Sequence, residues 1–195
     1  MKTDRELIAR GKTGRSRLEH FDAFHRLTYL PALTELRPRM GEVKSIFVGG
    51  CGYGADVLAA SQVFPEANIC AVSLGETPTV EVTQALGERL YFSRQTILEF
   101  LDRAEKNEWK FDLVMFMNVL TYEFQEMDFY QHLAEIVRPG GHVLTYDLGS
   151  IPLDAKTQAG LYLDWMEVNF DRLPLDFPGI DFFHLWRRKG DIVYA

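Results

Sequence analysis

Residues 44–56 read Lys-Ser-Ile-Phe-Val-Gly-Gly-Cys-Gly-Tyr-Gly-Ala-Asp, and they form the most informative stretch of the chain. The apolar run Ile46–Val48 is followed by glycines, which is typical of a buried strand. Four glycines fall within six residues, and a run with helical spacing then begins at Val57 and Leu58. A strand, a glycine turn and a helix in this order present backbone N–H groups and the positive end of a helix to an anionic or polar ligand.

The spacing of these glycines fits two kinds of ligand loop. Gly50, Gly52 and Ala55 fit the G-x-G-x-x-G/A dinucleotide fingerprint. Gly50, Gly52 and Gly54 fit a G-x-G-x-G loop equally well. A tight structural turn without any ligand satisfies the same spacing, so the rest of the chain has to distinguish between these interpretations.

The length and composition are those of one ordinary globular domain. The 195 residues are 47% apolar and 25% charged, and no apolar run approaches the roughly 20 residues of a membrane span. The N-terminal stretch is polar and basic, without the apolar core of a secretory signal. Cys51 and Cys70 form no C-x-x-C pair, so we expect no metal site, no disulfide scaffold and a cytoplasmic location.

The charge distribution disfavours a general nucleic-acid binder. The formal net charge is -7, although residues 1–44 carry ten Lys or Arg against six Asp or Glu. We interpret this basic part as a solvated face, with a protein partner as the alternative. Neither a nucleic-acid partner nor a membrane partner is expected.

Residues 1–40 have the pattern of an amphipathic helical segment. Phe21, Phe24, Leu27 and Leu30 recur at three- and four-residue steps, and Pro31 is expected to break or restart the helix.

From Ser45 onward, the pattern alternates between strands and helices. The predicted strands after the first are Asn68–Ser73, Leu90–Arg94, Phe111–Met117 and Val143–Tyr146. The predicted helices are Thr77–Glu88, Ile97–Lys106, Asp128–Val137 and Leu153–Asp171. Pro139-Gly140-Gly141 is a predicted turn, and Phe182–Arg188 and Asp191–Tyr194 are predicted to pair antiparallel across Lys189-Gly190. This order predicts a doubly wound α/β sheet that ends in an antiparallel hairpin.

Three segments resemble the Rossmann-like (class I, seven-stranded) methyltransferases that use S-adenosylmethionine (SAM). They are the glycine loop at 48–54, residues 111–120 at the fourth strand, and residues 133–144, which contain Arg138-Pro139-Gly140-Gly141. The resemblance covers roughly residues 40–195. It implies a three-layer α/β/α domain at 41–195 with a mostly parallel seven-stranded sheet, preceded by an N-terminal helical segment at 1–40.

The resemblance also implies a SAM site along the carboxyl ends of the strands. Its residues would be Gly50, Cys51, Gly52, Gly54, Ser73, Leu74, Gln95, Thr96 and Asn118. Beside an acceptor, Tyr122 would line the pocket and Glu123 would serve as a base, with Asp147 as a second candidate base. We interpret Cys51 as a small residue that fits the loop rather than as a nucleophile. The acceptor is expected to be a small molecule, because the chain has no large insertion.

Three positions depart from the family pattern. Val48, Ser73 and Thr96 stand where carboxylates are usual, at the loop, at the ribose hydroxyls and near the adenine amino group. A hydrogen bond to a charged group contributes about 1.5–3 kcal/mol, against about 1 kcal/mol for a neutral pair, so these replacements weaken SAM binding unless other groups compensate.

The leading prediction is therefore a SAM-dependent methyltransferase acting on a small molecule. One alternative is a methyltransferase-fold protein without transfer activity, which serves as a binding or partner subunit. A second alternative is an aminopropyltransferase-like enzyme, because the Gly49-Gly50 pair is similar to the glycine loop of that group. The third is a nicotinamide-dependent oxidoreductase.

Overall fold

A computed structural model of the chain describes residues 17–117, 127–146, 166–175 and 183–193. The helices are α1 (Arg17–Phe24), α2 (Leu30–Met40), α3 (Ala55–Val63), α4 (Val80–Leu86), α5 (Ile97–Lys106) and α6 (Met127–Ile136). The strands are β1 (Ser45–Gly49), β2 (Asn68–Val72), β3 (Leu90–Ser93), β4 (Phe111–Met117), β5 (Val137–Tyr146), β6 (Phe170–Leu173) and β7 (Phe183–Arg188). Within these ranges, no helix has the length and apolarity needed to span a bilayer.

The strands form one sheet in the order β3-β2-β1-β4-β5-β7-β6. Strands β1 to β5 pair in parallel, and β7 is antiparallel to both β5 and β6. The predicted fold class is confirmed: the sheet has seven mostly parallel strands, and its last two strands form an antiparallel pair. The strand order reverses between β1 and β4, which marks the crevice where open α/β sheets bind ligands.

Helices cover both faces of this sheet because alternate strand residues point to opposite sides. On one face, Ile46, Val48 and Met115 pack with α1 to α4. On the other face, Phe47 and Phe116 pack with α5 and α6. The central strands are therefore apolar on both faces, as the continuous apolar runs in the sequence predict.

Helix α5 shows how local sequence fixes an element. Its predicted bounds, Ile97–Lys106, are confirmed. Thr96 caps the helix: its hydroxyl accepts from the Glu99 N–H at 3.1 Å, while the Glu99 carboxylate accepts from the Thr96 N–H at 2.9 Å. This capping box satisfies two backbone donors at the helix start and therefore sets the boundary.

Two predicted elements at the carboxyl end of the chain are wrong in detail. Strand β7 pairs antiparallel with β5 and β6 rather than with the predicted strand Asp191–Tyr194, because residues 191–193 form no strand and Tyr194 lies outside the described residues. Asn169 holds that segment instead, since its side chain bonds both the N–H (2.8 Å) and the carbonyl (3.2 Å) of Val193. The predicted helix Leu153–Asp171 ends by Asn169, and its portion at 153–165 lies outside the described residues.

The Arg-Pro-Gly-Gly segment lies inside β5 rather than before it. Val137 pairs with Phe111 and His142 pairs with Leu113, so four residues of β5 oppose one residue of β4. This is a bulge, and Gly140 accommodates it with a φ of 77°. Helix α4 also starts later than predicted, because Thr79, rather than Thr77, caps it by accepting from the Val82 N–H.

The described part of the N-terminal segment is helical, as predicted, and belongs to the main core. A π-helical turn, His25–Tyr29, precedes Pro31, which sits in the first turn of α2. The Tyr29 ring packs edge-on against Tyr146 of β5, with centroids 5.9 Å apart. Residues 1–16 lie outside the described residues, and the domain boundary at residues 40 and 41 stays a prediction.

Asp112 ties the amino ends of β1, β4 and β5 together. Its carboxylate accepts from the N–H groups of Lys44 and Ser45 and from the Ser45 hydroxyl, each at 2.9 Å, and from Arg138 at 2.7 Å. Burial acts to raise the pKa of Asp112, but these hydrogen bonds and the Arg138 charge outweigh it, so the pKa lies below its usual value. The carboxylate therefore fixes the register of the sheet and the start of the β5 bulge.

We predict that Asp112→Asn lowers the free energy of unfolding by about 2 kcal/mol or more, because several bonds to a charged acceptor are weakened together. Urea denaturation at pH 7 measures this loss. A carboxyl with a lowered folded-state pKa contributes stability above its unfolded pKa and loses it as the pH falls, so the deficit should shrink in acid. Asp102→Asn on α5 is the control, since its exposed pair with Lys106 contributes less than about 1 kcal/mol. Equal losses in both variants would contradict the assignment.

Candidate functional site

The candidate site lies at the carboxyl ends of β1, β2, β3 and β4, around the loop that joins β1 to α3. Gly49, the last residue of β1, pairs with Val72 on β2 and with Phe116 on β4. The chain then turns through residues 50–54 before α3 begins at Ala55. The loop is therefore at the point where the strand order reverses.

The glycine residues of the loop are required by its backbone conformation. Gly50, Gly52 and Gly54 have φ values of 71°, 51° and 88°, in the left-handed region that other residues avoid. Two hydrogen bonds hold the turn: the Cys51 N–H bonds the Val72 carbonyl at 3.0 Å, and the Gly54 N–H bonds the Cys51 carbonyl at 2.8 Å. The predicted ligand loop therefore adopts one defined turn.

The two sides of this loop differ in the space they leave. A Cβ at Gly49 would lie 2.6 Å from Cε1 of the Phe116 ring, so close packing alone requires glycine there. Apart from its two chain neighbours, a Cβ at Gly52 would meet no atom of the described residues within 4 Å. The backbone at Gly52 consequently faces open space, where a ligand can approach it.

The connection between β2 and α4 packs over the glycine loop. The Thr79 N–H bonds the Tyr53 carbonyl at 3.0 Å, and Val82 of α4 lies against Gly54. Ser73 is buried directly after β2, whereas Leu74 is 64% exposed. These two predicted cofactor residues thus lie next to the loop, one below the surface and one on it.

Gln95 and Thr96 follow β3, and the structure separates their roles. The Thr96 hydroxyl already accepts the helix-capping bond from Glu99. Gln95 is different, because its Nε2 atom is buried and has no hydrogen-bond partner among the described residues. A buried donor without a partner costs about 1–3 kcal/mol, so this atom of Gln95 is a candidate donor to a ligand.

Cys51 is not an activated nucleophile. Its thiol is buried within the loop, and this burial, together with the nearby charge of Asp56, raises its pKa far above the usual value. A thiol that stays protonated at neutral pH neither attacks electrophiles nor binds metals readily. The interpretation of Cys51 as a small residue that fits the loop agrees with this environment.

Asp56 is a candidate functional residue that the sequence reasoning missed. It lies in the first turn of α3, is 3% exposed, and accepts one bond from the Val57 N–H at 2.8 Å. Burial raises the pKa of its carboxyl to about 7, against the smaller opposing effect of backbone hydrogen bonds. Strongly shifted carboxyl groups beside ligand loops are functional candidates. The available signal was a single acid in the otherwise small or apolar run at 55–60.

Four predicted residues lie outside the described residues: Asn118, Tyr122, Glu123 and Asp147. The last described residue of β4, Met117, follows the pair formed by Phe116 and Gly49, so that strand ends beside the glycine loop. Among the residues with described side chains, no cluster of three or more His, Cys, Asp or Glu could hold a metal ion.

Comparison with known proteins shows which solved structures share this fold. No protein-family model matches the chain. No curated protein matches it either. Among solved structures, it is similar to the N-methyltransferase NodS from Bradyrhizobium japonicum WM9 in complex with S-adenosylhomocysteine (SAH), at a TM-score of 0.63 and 14% identity, over 96% of this chain and 99% of NodS.

Two further structures show the same likeness. An O-methyltransferase family protein from Burkholderia thailandensis has a TM-score of 0.59 and 18% identity, over 97% of this chain. This chain spans less than two thirds of that protein, 63% of its length. Human methyltransferase-like protein 13, in complex with SAH, has a TM-score of 0.55 and 16% identity, over 87% of this chain and 81% of that one. The chain therefore has the fold of the class I, Rossmann-like SAM-dependent methyltransferases.

The raised pKa of Asp56 predicts a pH-dependent effect of its removal. Because folding raises this pKa from 3.8 to about 7, ionised Asp56 destabilises the folded protein, and this cost develops as the pH rises from about 4 to 7. Asp56→Asn should therefore increase the free energy of unfolding by about 2–4 kcal/mol at pH 8 and by much less at pH 4.5. Urea denaturation at both pH values measures the difference. Asp22→Asn, which removes an exposed carboxylate of α1, is the control. A gain that does not depend on pH would contradict the prediction.

Proposed function

We propose that this protein is a SAM-dependent methyltransferase that acts on a small molecule. The observation that carries the proposal is the glycine loop: three left-handed glycines at the strand-order reversal leave the backbone of Gly52 open to a ligand. A purely structural turn explains the φ values and the open space equally well, so the position of the loop at the strand-order reversal is what favours a ligand.

The residues around the loop fit the parts of SAM in different degrees. The loop backbone at Gly50 and Gly52 would support the ligand, with the N-terminus of α3 behind it. Gln95 would face the adenine, since an amide can both accept from the adenine amino group and donate to a ring nitrogen. Ser73 would meet the ribose hydroxyls as a neutral hydrogen-bonding group.

Methyl transfer requires little of the protein beyond the positioning of SAM and the acceptor. SAM supplies an electrophilic methyl group on its sulfonium, and the protein has to align an acceptor with it and remove a proton where the acceptor carries one. We assign the pocket wall to Tyr122, the base to Glu123 and a ligand contact to Asn118, as the resemblance implies. The π-helical turn between α1 and α2 packs near the carboxyl end of β5 through Tyr29 and Tyr146, and would narrow the entrance to the cleft.

A small-molecule acceptor is supported by the described architecture and by the named neighbours. The described elements account for a seven-stranded sheet with its covering helices, without an added substrate domain among them. The similar structures include an N-methyltransferase and an O-methyltransferase family protein, so the fold accommodates both nitrogen and oxygen acceptors.

The second candidate function is a binding or partner subunit without transfer activity. It is favoured by the neutral residues Val48, Ser73 and Thr96 at positions where the resembled family has carboxylates, and by the engagement of Thr96 in a helix cap. The two functions differ in a direct observable, because only the first requires binding of the adenosyl ligand.

Calorimetric titration with SAH is the first test of the proposed function. We expect wild-type binding in the micromolar range, and its loss in Gly52→Val, because a branched side chain would enter the open side of the loop. Gly87→Val is the matched control, since Gly87 also has open space around it and a φ of 55°, close to the 51° of Gly52, but lies after α4. Circular dichroism and thermal unfolding confirm that each variant is folded. No binding by the wild type would reject the methyltransferase and favour the partner subunit.

We predict that Gln95→Leu stabilises the folded protein and weakens its binding of SAH. Removing the buried, unpartnered Nε2 donor should raise the free energy of unfolding by about 1 kcal/mol. Losing the hydrogen bonds to adenine should weaken SAH binding by about fivefold or more. Gln84→Leu, on the exposed side of α4, is the control for both measurements. Unchanged SAH affinity in Gln95→Leu would remove Gln95 from the adenine site.

A further inference from the structure

Asp56 is an acid buried beside the ligand loop without a cationic partner among the described residues. It is two residues past Gly54, the N-terminal cap of α3, and every residue from Asp56 to Ser61 in that helix is buried. Its carboxylate affects the Cys51 thiol electrostatically, which places the two groups close together. Asp56 forms no ion pair with any described residue, and its carboxylate accepts only from backbone N–H groups among them, that of Val57 at 2.8 Å and its own.

Two charged or titratable side chains on the elements packed against α3 bond residues other than Asp56. His25 in the π-helical turn bonds Gln62 at the far end of α3, and Arg26 pairs with Asp22. The remaining titratable groups of the described side chains on these elements and on the loops that adjoin α3 are Tyr29, Glu35, Arg37, Arg39, Tyr53, Glu66, Cys70, Glu76 and Glu81. None of them has an ion pair with Asp56.

An uncompensated buried carboxylate is unfavourable at neutral pH, so its position calls for a functional explanation. A cation delivered by a ligand would compensate it, because opposite charges attract strongly where water is excluded. The methionyl end of SAM carries two such cations, the sulfonium and the ammonium, and one carboxylate, so positive charge outweighs negative charge there while the ammonium is protonated. The other end, the adenosyl group, carries none of these charges.

The sheet order indicates which end of SAM would approach Asp56. Gln95 follows β3 at the edge of the sheet, two strands away from β1. With adenine at Gln95, the opposite end of SAM extends toward β1 and the start of α3. The cationic end of the ligand would therefore come toward the buried acid rather than away from it.

We infer that Asp56 is the counter-ion for the cationic methionyl end of SAM, in place of the carboxylate missing at Val48. The inference rests on the proposed function, because it requires that SAM binds at the glycine loop. Asp56 is a positioning and binding residue in this account and transfers no group. In the free protein it holds a proton around neutral pH, and SAM displaces that proton when it binds.

The test is the number of protons released when SAM binds to the full chain, from calorimetry in buffers of different ionisation enthalpy. At pH 6, where Asp56 is mostly protonated and the amino group of SAM is charged, the wild type should release roughly one proton and Asp56→Asn none. At pH 8.5 the amino group of SAM also exchanges protons, since an α-amino pKa is about 7.7–8.0, so the quantity compared there is the difference between the two proteins, which should be much smaller than at pH 6. Because the sulfonium stays charged, Asp56→Asn should bind SAM at least about tenfold more weakly at pH 8.5. The ¹³C signal of the Asp56 carboxyl reports its titration directly, with and without SAM.

Two controls separate this inference from general effects. Neutral 5′-methylthioadenosine lacks the methionyl amino acid, so it should bind without proton release and with equal affinity to wild type and Asp56→Asn. Glu81→Gln removes an exposed carboxylate from the first turn of the neighbouring helix α4 and should release protons as the wild type does. SAM binding without proton release at pH 6, or release at pH 6 that persists in Asp56→Asn, overturns the inference and leaves the proposed function intact. Failure of the wild type to bind SAM or SAH overturns both.

Discussion

The turn between β1 and α3 is the constraint on which the rest of the structure depends. Three residues within five positions have left-handed backbone conformations, each of which costs a residue with a side chain roughly 1–2 kcal/mol. Glycine removes that cost and lets the chain reverse directly after the central strand. Helix α3 can then begin just past the carboxyl end of β1 and bury nearly all of its residues against β1, β2 and the N-terminal helices.

The parts of the fold that local chemistry determines could be predicted from the sequence. Strand β4 and helix α5 have the predicted bounds, because one is a continuous apolar run and the other begins with a capping box at Thr96 and Glu99. The glycine loop was predicted for the same reason, since its residue types specify its backbone. These signals lie within a few residues of the structure they determine.

The parts that depend on distant partners could not be predicted in the same way. Strand β6 forms because β7 offers it an edge, whereas its own sequence, Phe-Asp-Arg-Leu, has no strong strand pattern. The bulge in β5 depends on Asp112, which holds Arg138 from another strand. Gln95 was predicted as a contact from the resemblance, but its unpartnered donor depends on packing around it. Asp56 was missed although the small and apolar residues around it, at 55–60, indicate that α3 is buried; how its carboxylate is surrounded depends on the packing of other elements.

The proposed role of Asp56 would let a site with neutral residues at the usual acidic positions hold a cationic ligand. Asp56 lies where water is excluded, so its charge acts through a lower effective dielectric than that of an exposed carboxylate. Ser73 is buried as well, so an acid after β2 would act in the same way, but the sequence places none there. The cost of the buried acid falls on the free protein, because ionised Asp56 destabilises the fold.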